Sequence, residues 1–186
     1  MTLRVDFDTD RWVYVPEAFP WNGYPDEDEW AGTVAHLAAE AFEYTADEQT
    51  ALRRMLDALL AYPRMLEGMH RFALLGTPDK GLEMVQVVDA PTSPETTEER
   101  MLGLPDPDAT REPQVTDVVG GLGSGRRAVR YTRADALEGE IVVSVNWAWR
   151  AGGRDVVVMY GTSNLVQLDA LLPVLDEFAA SIRLAD

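Results

Sequence analysis

Apolar and polar residues alternate most regularly in the last third of the chain. Over residues 140–149 every second side chain is apolar, which is the period of a strand with one buried face. A turn sequence at 151–153 and a second apolar run at 156–159 predict a hairpin. Apolar residues then recur at helical spacing from Leu168 to Ile182, so the sequence predicts a terminal helix that covers this hairpin.

Helical spacing predicts two further helices in the first half of the chain. The first should begin near 26–28, where acidic residues favour the positive end of the helix dipole. Its predicted buried stripe consists of Trp30, Val34, Leu37, Ala38, Ala41 and Phe42. The second should begin after Thr45, because Thr45 and Glu48 have the spacing of a capping box, and should end near Tyr62.

Short alternating runs elsewhere predict strands. They cover residues 3–7, 12–15, 71–75, 82–88, 115–119 and 127–132. A short helix is predicted from Pro94, capped by Ser93, to Leu102. Because turns rather than helices join most strands, we expect one α+β domain over residues 1–186, with a largely antiparallel, twisted sheet packed with helices.

The end of the chain carries a family resemblance. Two long strands followed by a helix ending in Phe178-Ala179-Ala180-Ser181-Ile182-Arg183 resemble the C-terminal half of Mog1/PsbP-like proteins, including the LpqN type. The resemblance implies an antiparallel sheet sandwiched between helices. It carries no catalytic motif with it, and it implies an accessory or binding protein.

Charge narrows the choice of partners. The chain has 32 acidic and 16 basic residues, and residues 1–50 hold 12 acids against only Arg4 and Arg11. Such a surface repels nucleic-acid phosphates and anionic lipid head groups, so neither nucleic acid nor membrane is an expected partner. We expect instead a protein with a basic or apolar surface.

Several classes of chemistry lack their sequence signatures. The chain has no cysteine, which excludes a disulfide framework, a thiol nucleophile and a cysteine zinc site. Its first residues show no signal-peptide pattern and no apolar run reaches the length of a membrane span, so a cytoplasmic protein is expected. The sequence favours a non-catalytic protein and predicts no catalytic residue, cofactor or metal.

The glycine-rich segment 120–125 has two interpretations. Glycine-rich loops can bind phosphate through their backbone amides. The dinucleotide pattern would need glycine where Arg126 stands, the nucleophile elbow would need glycine at Leu122, and Lys80 is the only lysine available for a Walker motif. We therefore predict a hairpin turn.

Two charged groups also have alternative interpretations. Arg126 and Arg130 share a strand face and could contact an external carboxylate or phosphate, or could pair with the chain's own acids. His36 and Glu40 lie one helical turn apart, a spacing that could hold a metal. We predict a solvated pair there, because no further metal-ligand motif accompanies them.

The densest aromatic group lies near the N-terminus. It comprises Trp12, Tyr14, Phe19, Trp21, Tyr24 and Trp30. These rings could cover the sheet or form a binding surface. Trp21 and Tyr24, which flank Gly23 between prolines, are expected to be the most exposed.

An acidic run adjoins these two rings. The predicted partner-binding residues are Trp21, Tyr24, Asp26, Glu27, Asp28 and Glu29. The leading hypothesis is an interaction protein, such as an adaptor, a specificity chaperone or an immunity-type protein. The alternatives are a small-molecule binder with a pocket lined by Trp147, Trp149 and Tyr160, and a hydrolase or transferase whose residues meet only in space.

Overall fold

The computed structural model describes residues 2–63, 66, 68–77, 79–134 and 139–185. Within these ranges the chain forms four helices and nine strands. The helices are α1 (Glu27–Ala41), α2 (Ala46–Ala61), α3 (Glu98–Met101) and α4 (Leu165–Ala180). The strands are β1 (Thr2–Val5), β2 (Trp12–Val15), β3 (Met69–Leu74), β4 (Glu83–Pro91), β5 (Gln114–Gly120), β6 (Gly123–Ala134), β7 (Glu140–Ala151), β8 (Arg154–Thr162) and β9 (Ile182–Ala185).

The fold is α+β with a large antiparallel sheet packed with helices, which confirms the predicted class. Seven strands follow the order β2-β3-β4-β8-β7-β6-β5, and β1 pairs separately with β9. The chain divides into two compact units. The N-terminal unit is Thr9–Val85, and the C-terminal unit combines Met1–Asp8 with Gln86–Asp186. The single domain and the α/β/α sandwich stay predictions.

Local capping sets the helix starts of the N-terminal unit. Asp26 caps α1, because its Oδ1 accepts a hydrogen bond from the Glu29 N–H at 2.9 Å. At α2 the Glu48 N–H donates to Thr45 Oγ1 at 3.3 Å, and the Thr45 N–H donates to Glu48 Oε2 at 2.7 Å. Both predicted starts, and the predicted capping box, are confirmed.

Both helices of the N-terminal unit pack on its strands. The shared core includes Val15, Trp30, Ala31, Val34, Leu52, Leu56 and Ala73. A buried arginine of β3 caps the C-terminal end of α2. Arg71 Nη1 donates to the carbonyl oxygens of Leu59 at 2.6 Å and of Tyr62 at 3.0 Å. Because the last turn of α2 has no basic residue, Arg71 supplies the positive charge that the helix dipole favours there.

Two predicted core positions of α1 are wrong, because Leu37 and Ala41 are both exposed. Leu37 keeps the helical spacing of the buried stripe, yet it is 54% exposed. Val34 and Ala38, on either side of it in the same stripe, are buried. The stripe therefore runs from the core into solvent, and the spacing alone gave no sign of this.

The C-terminal unit is built around an antiparallel meander. β5 pairs with β6, β6 with β7 and β7 with β8, and Gly152-Gly153 form the turn of the last hairpin. The predicted hairpin is confirmed, and β7 buries Trp147 and Trp149. α4 packs on β5, β7 and β8.

Two predicted helix boundaries in this unit are wrong. α4 ends at Ala180, and Ile182 begins β9, which pairs antiparallel with β1. Ile182 is fully buried as a strand residue, so its apolar character reflects packing there and not a further helical turn. The short helix α3 is capped by Thr97, whereas Ser93 accepts a hydrogen bond from the Glu95 N–H in the preceding turn.

Candidate functional site

Trp21 and Tyr24 are fixed by a two-residue turn. The backbone N–H of each donates to the carbonyl oxygen of the other, both at 2.8 Å. Asn22 and Gly23 between them have φ angles of 45° and 92°. Positive φ at both central positions is what a type I′ turn requires, and asparagine followed by glycine is its preferred sequence. The turn holds the two rings stacked, with centroids 6.3 Å apart and planes 10° from parallel.

The N-terminal unit supports these rings from one side. The Tyr14 ring of β2 lies 5.5 Å from the Trp21 ring and 5.3 Å from the Phe72 ring, measured between centroids. Trp21 and Tyr24 both pack against the core of the unit, and both are half-buried. Each ring therefore does part of both jobs that the sequence allowed. One part of it packs against the core, and the other part is exposed to solvent.

The acidic run beside these rings divides into two roles. Asp26 caps α1, and Asp28 pairs with Arg53 of α2. Glu27 and Glu29 are exposed, and neither has an ion pair with any residue that the structure describes. We call Trp21, Tyr24, Glu27 and Glu29 the acidic aromatic patch.

Part of this acidity serves the helix. Glu27, Asp28 and Glu29 lie in the first turn of α1, where negative charge interacts favourably with the helix dipole. That interaction is a few tenths of a kcal/mol to about 1 kcal/mol for an exposed residue. It explains acids in this turn without requiring a partner, so the case for a binding surface depends on the rings beside them.

The arginines predicted to contact an anion are paired inside the C-terminal unit. Arg130 Nη1 lies 2.9 Å from Asp106 Oδ2, and Arg126 Nη1 lies 3.5 Å from Glu98 Oε2. Asp106 also accepts a hydrogen bond from the Thr132 hydroxyl at 2.8 Å. These contacts correspond to the internal pairing that was the alternative for Arg126 and Arg130. An external anion at these residues stays a prediction.

The pairing fixes the charge state of Asp106. Burial alone would raise the pKa of Asp106, but the bonds from the Thr132 hydroxyl and the Asp108 N–H, together with the charge of Arg130, lower it below its usual range. The carboxylate is therefore ionised at neutral pH and holds the arginine in place.

The glycine-rich segment is used for close packing. The turn itself is only Gly121-Leu122, because Gly123 and Gly125 already belong to β6. A Cβ atom on Gly125 would lie 2.4 Å from Cδ1 of Trp149, and one on Gly121 would lie 2.5 Å from the Ile182 carbonyl oxygen. The predicted hairpin turn is confirmed, and it is shorter than the glycine run suggested.

The histidines are engaged in ordinary contacts. His36 Nε2 and Glu40 Oε1 are 3.6 Å apart on the exposed face of α1, which confirms the predicted solvated pair. His70 Nδ1 lies 3.4 Å from the Tyr14 hydroxyl and 3.8 Å from Glu17 Oε1. Among the residues described, no group of three or more histidine, aspartate or glutamate side chains is placed to hold a metal ion.

A cavity of about 360 Å³ adjoins two predicted pocket residues in the C-terminal unit. Its lining includes Trp147, Trp149, Asp176 and Glu177, but not Tyr160. The Trp147 indole N–H donates to Asp176 Oδ1 at 2.7 Å, and Arg127 pairs with the other oxygen of that carboxylate. The carboxylate was not expected at this site, since α4 had been assigned only to the core.

Comparison with known proteins assigns no family. No protein-family model matches the sequence, and no curated protein matches it. In the described part of the chain, no helix combines the length and the apolar character needed to cross a membrane.

Proposed function

We propose that this chain is a non-catalytic interaction protein that binds another protein through the acidic aromatic patch. An adaptor, a specificity chaperone or an immunity-type protein would each use such a surface. The observation that carries the proposal is the fixed Trp21–Tyr24 turn, which presents two half-buried, stacked rings beside two exposed carboxylates. The expected partner has an apolar surface with basic residues around it.

The two parts of the patch would contribute differently. Tryptophan and tyrosine are common anchors in interfaces, because a large ring buries much area and has little conformational freedom to lose. Here the turn has already restricted both rings, so binding should cost little further order. The carboxylates of Glu27 and Glu29 would mainly speed the encounter with a basic partner and would lose that effect as salt is added.

The test is affinity capture from cells of the source organism, with a tagged wild-type chain and a Trp21→Ala, Glu27→Lys double variant. A single variant, Asp169→Lys, serves as a control for charge, because Asp169 is an exposed acid on α4. We expect the partner to be recovered with the wild type and with the control, and to be lost with the double variant. Equal recovery of the same partner with the double variant would remove the patch from the proposal.

The cavity beside Trp147 supports a second candidate function, small-molecule binding. Its volume lies within the range of ligand sites, and two indoles beside the exposed carboxylate of Glu177 suit a small organic cation, since Asp176 is already paired with Arg127. The test is a titration with simple amines, following the indole N–H resonances of Trp147 and Trp149 by NMR. Resonances that do not move with any amine would exclude this use of the cavity.

A further inference from the structure

An open apolar groove lies in the N-terminal unit, apart from the acidic aromatic patch. Its volume is about 570 Å³, within the range of ligand-binding sites. The start of β2 and the C-terminal half of α1 form its sides. Buried Trp12, Val34 and Leu75 are among its lining residues, together with exposed Leu37 and Ala41.

The lining from α1 is a continuous helical stripe. Val34, Leu37, Ala38 and Ala41 have the spacing of residues that share one helix face, and all four line the groove. A single exposed leucine on a protein surface needs no explanation. Leu37, however, extends an apolar surface that begins in the core, and continuous surfaces of this kind are typical of binding sites.

The charge around this end of α1 is unfavourable for the helix itself. Every charged residue of α1 is acidic, and its last turn has no basic residue. Glu40 lies three positions after Leu37, and Glu43 follows the helix end. Because a helix C-terminus already carries partial negative charge, acids there oppose the dipole. Apart from the exposed contact of Glu40 with His36, no contact among the residues that the structure describes uses the negative charge of Glu40 or Glu43 beside the groove.

The negative charge beside the groove indicates which kind of molecule could bind there. A second copy of the chain would carry a net charge of -16 to the contact, and an anionic amphiphile would meet the same repulsion. A basic segment would be attracted. In the described lining Arg11 is the only positive charge, and Asp10 lies next to it.

We propose that the groove binds a basic peptide segment of a partner protein, with one large apolar side chain inserted beside Leu37. The segment's lysine or arginine residues face Glu40 and Glu43. The apolar side chain supplies most of the affinity, since its burial removes both its own surface and that of Leu37 from water. The site goes beyond the acidic aromatic patch and does not depend on it.

The experiment selects random displayed peptides on the full chain and then measures the affinity of a synthetic copy of the enriched peptide by fluorescence anisotropy. The groove variant is Leu37→Asp, which should fold because Leu37 is 54% exposed. Its matched control is Val166→Asp, at a valine of α4 that is 90% exposed. Circular dichroism checks that both variants keep the helix content of the wild type.

We expect the enriched peptides to combine arginine or lysine with a large apolar residue. Replacing that apolar residue by serine, or Leu37 by aspartate, should weaken binding at least about tenfold, a change of about 1.4 kcal/mol. Val166→Asp and Trp21→Ala should leave the affinity unchanged, and the latter separates the groove from the acidic aromatic patch.

Four results would overturn the inference. One is selection that yields no enriched peptide, and another is a peptide that binds Leu37→Asp as tightly as it binds Val166→Asp. The third is a concentration-dependent dimer in sedimentation that Leu37→Asp abolishes, because a second copy would then occupy the groove. If Trp21→Ala alone removes peptide binding, the peptide occupies the acidic aromatic patch and the groove assignment fails.

Discussion

The division of the acidic run into structural and binding residues can be measured directly. Asp26→Ala removes the cap of α1, so the Glu29 N–H loses its side-chain acceptor. Loss of a cap costs about 1 kcal/mol, and loss of a negative charge at the helix start adds about 0.5 kcal/mol. We therefore expect Asp26→Ala to lower the free energy of unfolding by about 1.5 kcal/mol. For a chain of this length that is a fall in Tm of about 5 °C.

Glu27→Gln should behave differently, although it removes the same charge one residue later. The Glu27 side chain is exposed and has no ion pair within the described residues, so its loss should cost less than about 0.5 kcal/mol. Urea unfolding followed by circular dichroism measures both variants. The association rates of the same two variants with the captured partner are then compared. Only Glu27→Gln is expected to slow association by more than its small loss of stability explains.

Equal destabilisation by the two substitutions would refute this division. It would mean that the carboxylates act on α1 through their shared charge and not through the cap geometry. If Asp26→Ala lowered the association rate at unchanged stability, Asp26 would belong to the binding surface, and its bond to the Glu29 N–H would be incidental.

Four further substitutions test contacts inside each of the two units. Arg71→Met should lower the free energy of unfolding by about 3 kcal/mol in urea titrations, because the buried Leu59 carbonyl and the partly buried Tyr62 carbonyl at the end of α2 lose a charged donor. A loss under about 1 kcal/mol would contradict this role. Gly125→Ala should cost about 2 kcal/mol in the same assay, since a Cβ atom there would overlap the Trp149 ring, and Gly161→Ala, whose Cβ atom would lie 3.8 Å from the Val143 carbonyl oxygen, should cost less. Burial alone would raise the pKa of Asp155, but hydrogen bonds from Arg150 outweigh this effect and lower the pKa. The contribution of the Asp155 carboxylate to the free energy of unfolding should therefore be complete above about pH 4 and lost as pH falls further. An Asp155→Asn variant with the same acid unfolding curve as the wild type would exclude this contribution.

The features that the sequence predicted correctly are local ones. The starts of α1 and α2 depend on side chains that reach backbone groups three residues away, and the sequence contains both partners. The hairpin of β7 and β8 has an alternating pattern before a glycine turn and a continuous apolar run after it. In each case every group that decides the structure lies within a short stretch of chain.

The features that it missed depend on residues far apart in the chain. Ile182 keeps the helical spacing of α4, and only its pairing with Val5 of β1 makes it a strand residue. Leu37 keeps the spacing of the α1 core stripe, and its exposure is determined by what other segments leave uncovered. Periodicity indicates which residues share a face, but it does not indicate where that face stops being covered.

The candidate site shows the same limit. The aromatic and acidic residues were visible in the sequence, because they are neighbours in the chain. Their roles were not visible, since Asp28 is taken up by Arg53, which is 25 residues away. The groove was missed altogether, because Trp12, Leu37 and Leu75 come from three separate segments. A sign was nevertheless present: α1 has an acidic last turn, which helix electrostatics alone would disfavour.

The internal ion pairs have the same electrostatic consequence for both proposed surfaces, the acidic aromatic patch and the groove. Many of the chain's scarce bases pair with acids of their own unit, among them Arg53, Lys80, Arg130, Arg150 and Arg154. The exposed pairs among them contribute little stability, whereas Asp106 and Asp155 are acids with buried side chains, but all of these pairs share one electrostatic consequence. Each pair neutralises a positive charge that could otherwise repel a basic partner, and the net charge of -16 then lies on acids without such partners. A partner must bring its own positive charges to either surface, and binding at both should therefore weaken as salt concentration rises. Binding that is insensitive to salt would leave the apolar contacts as the sole basis of recognition.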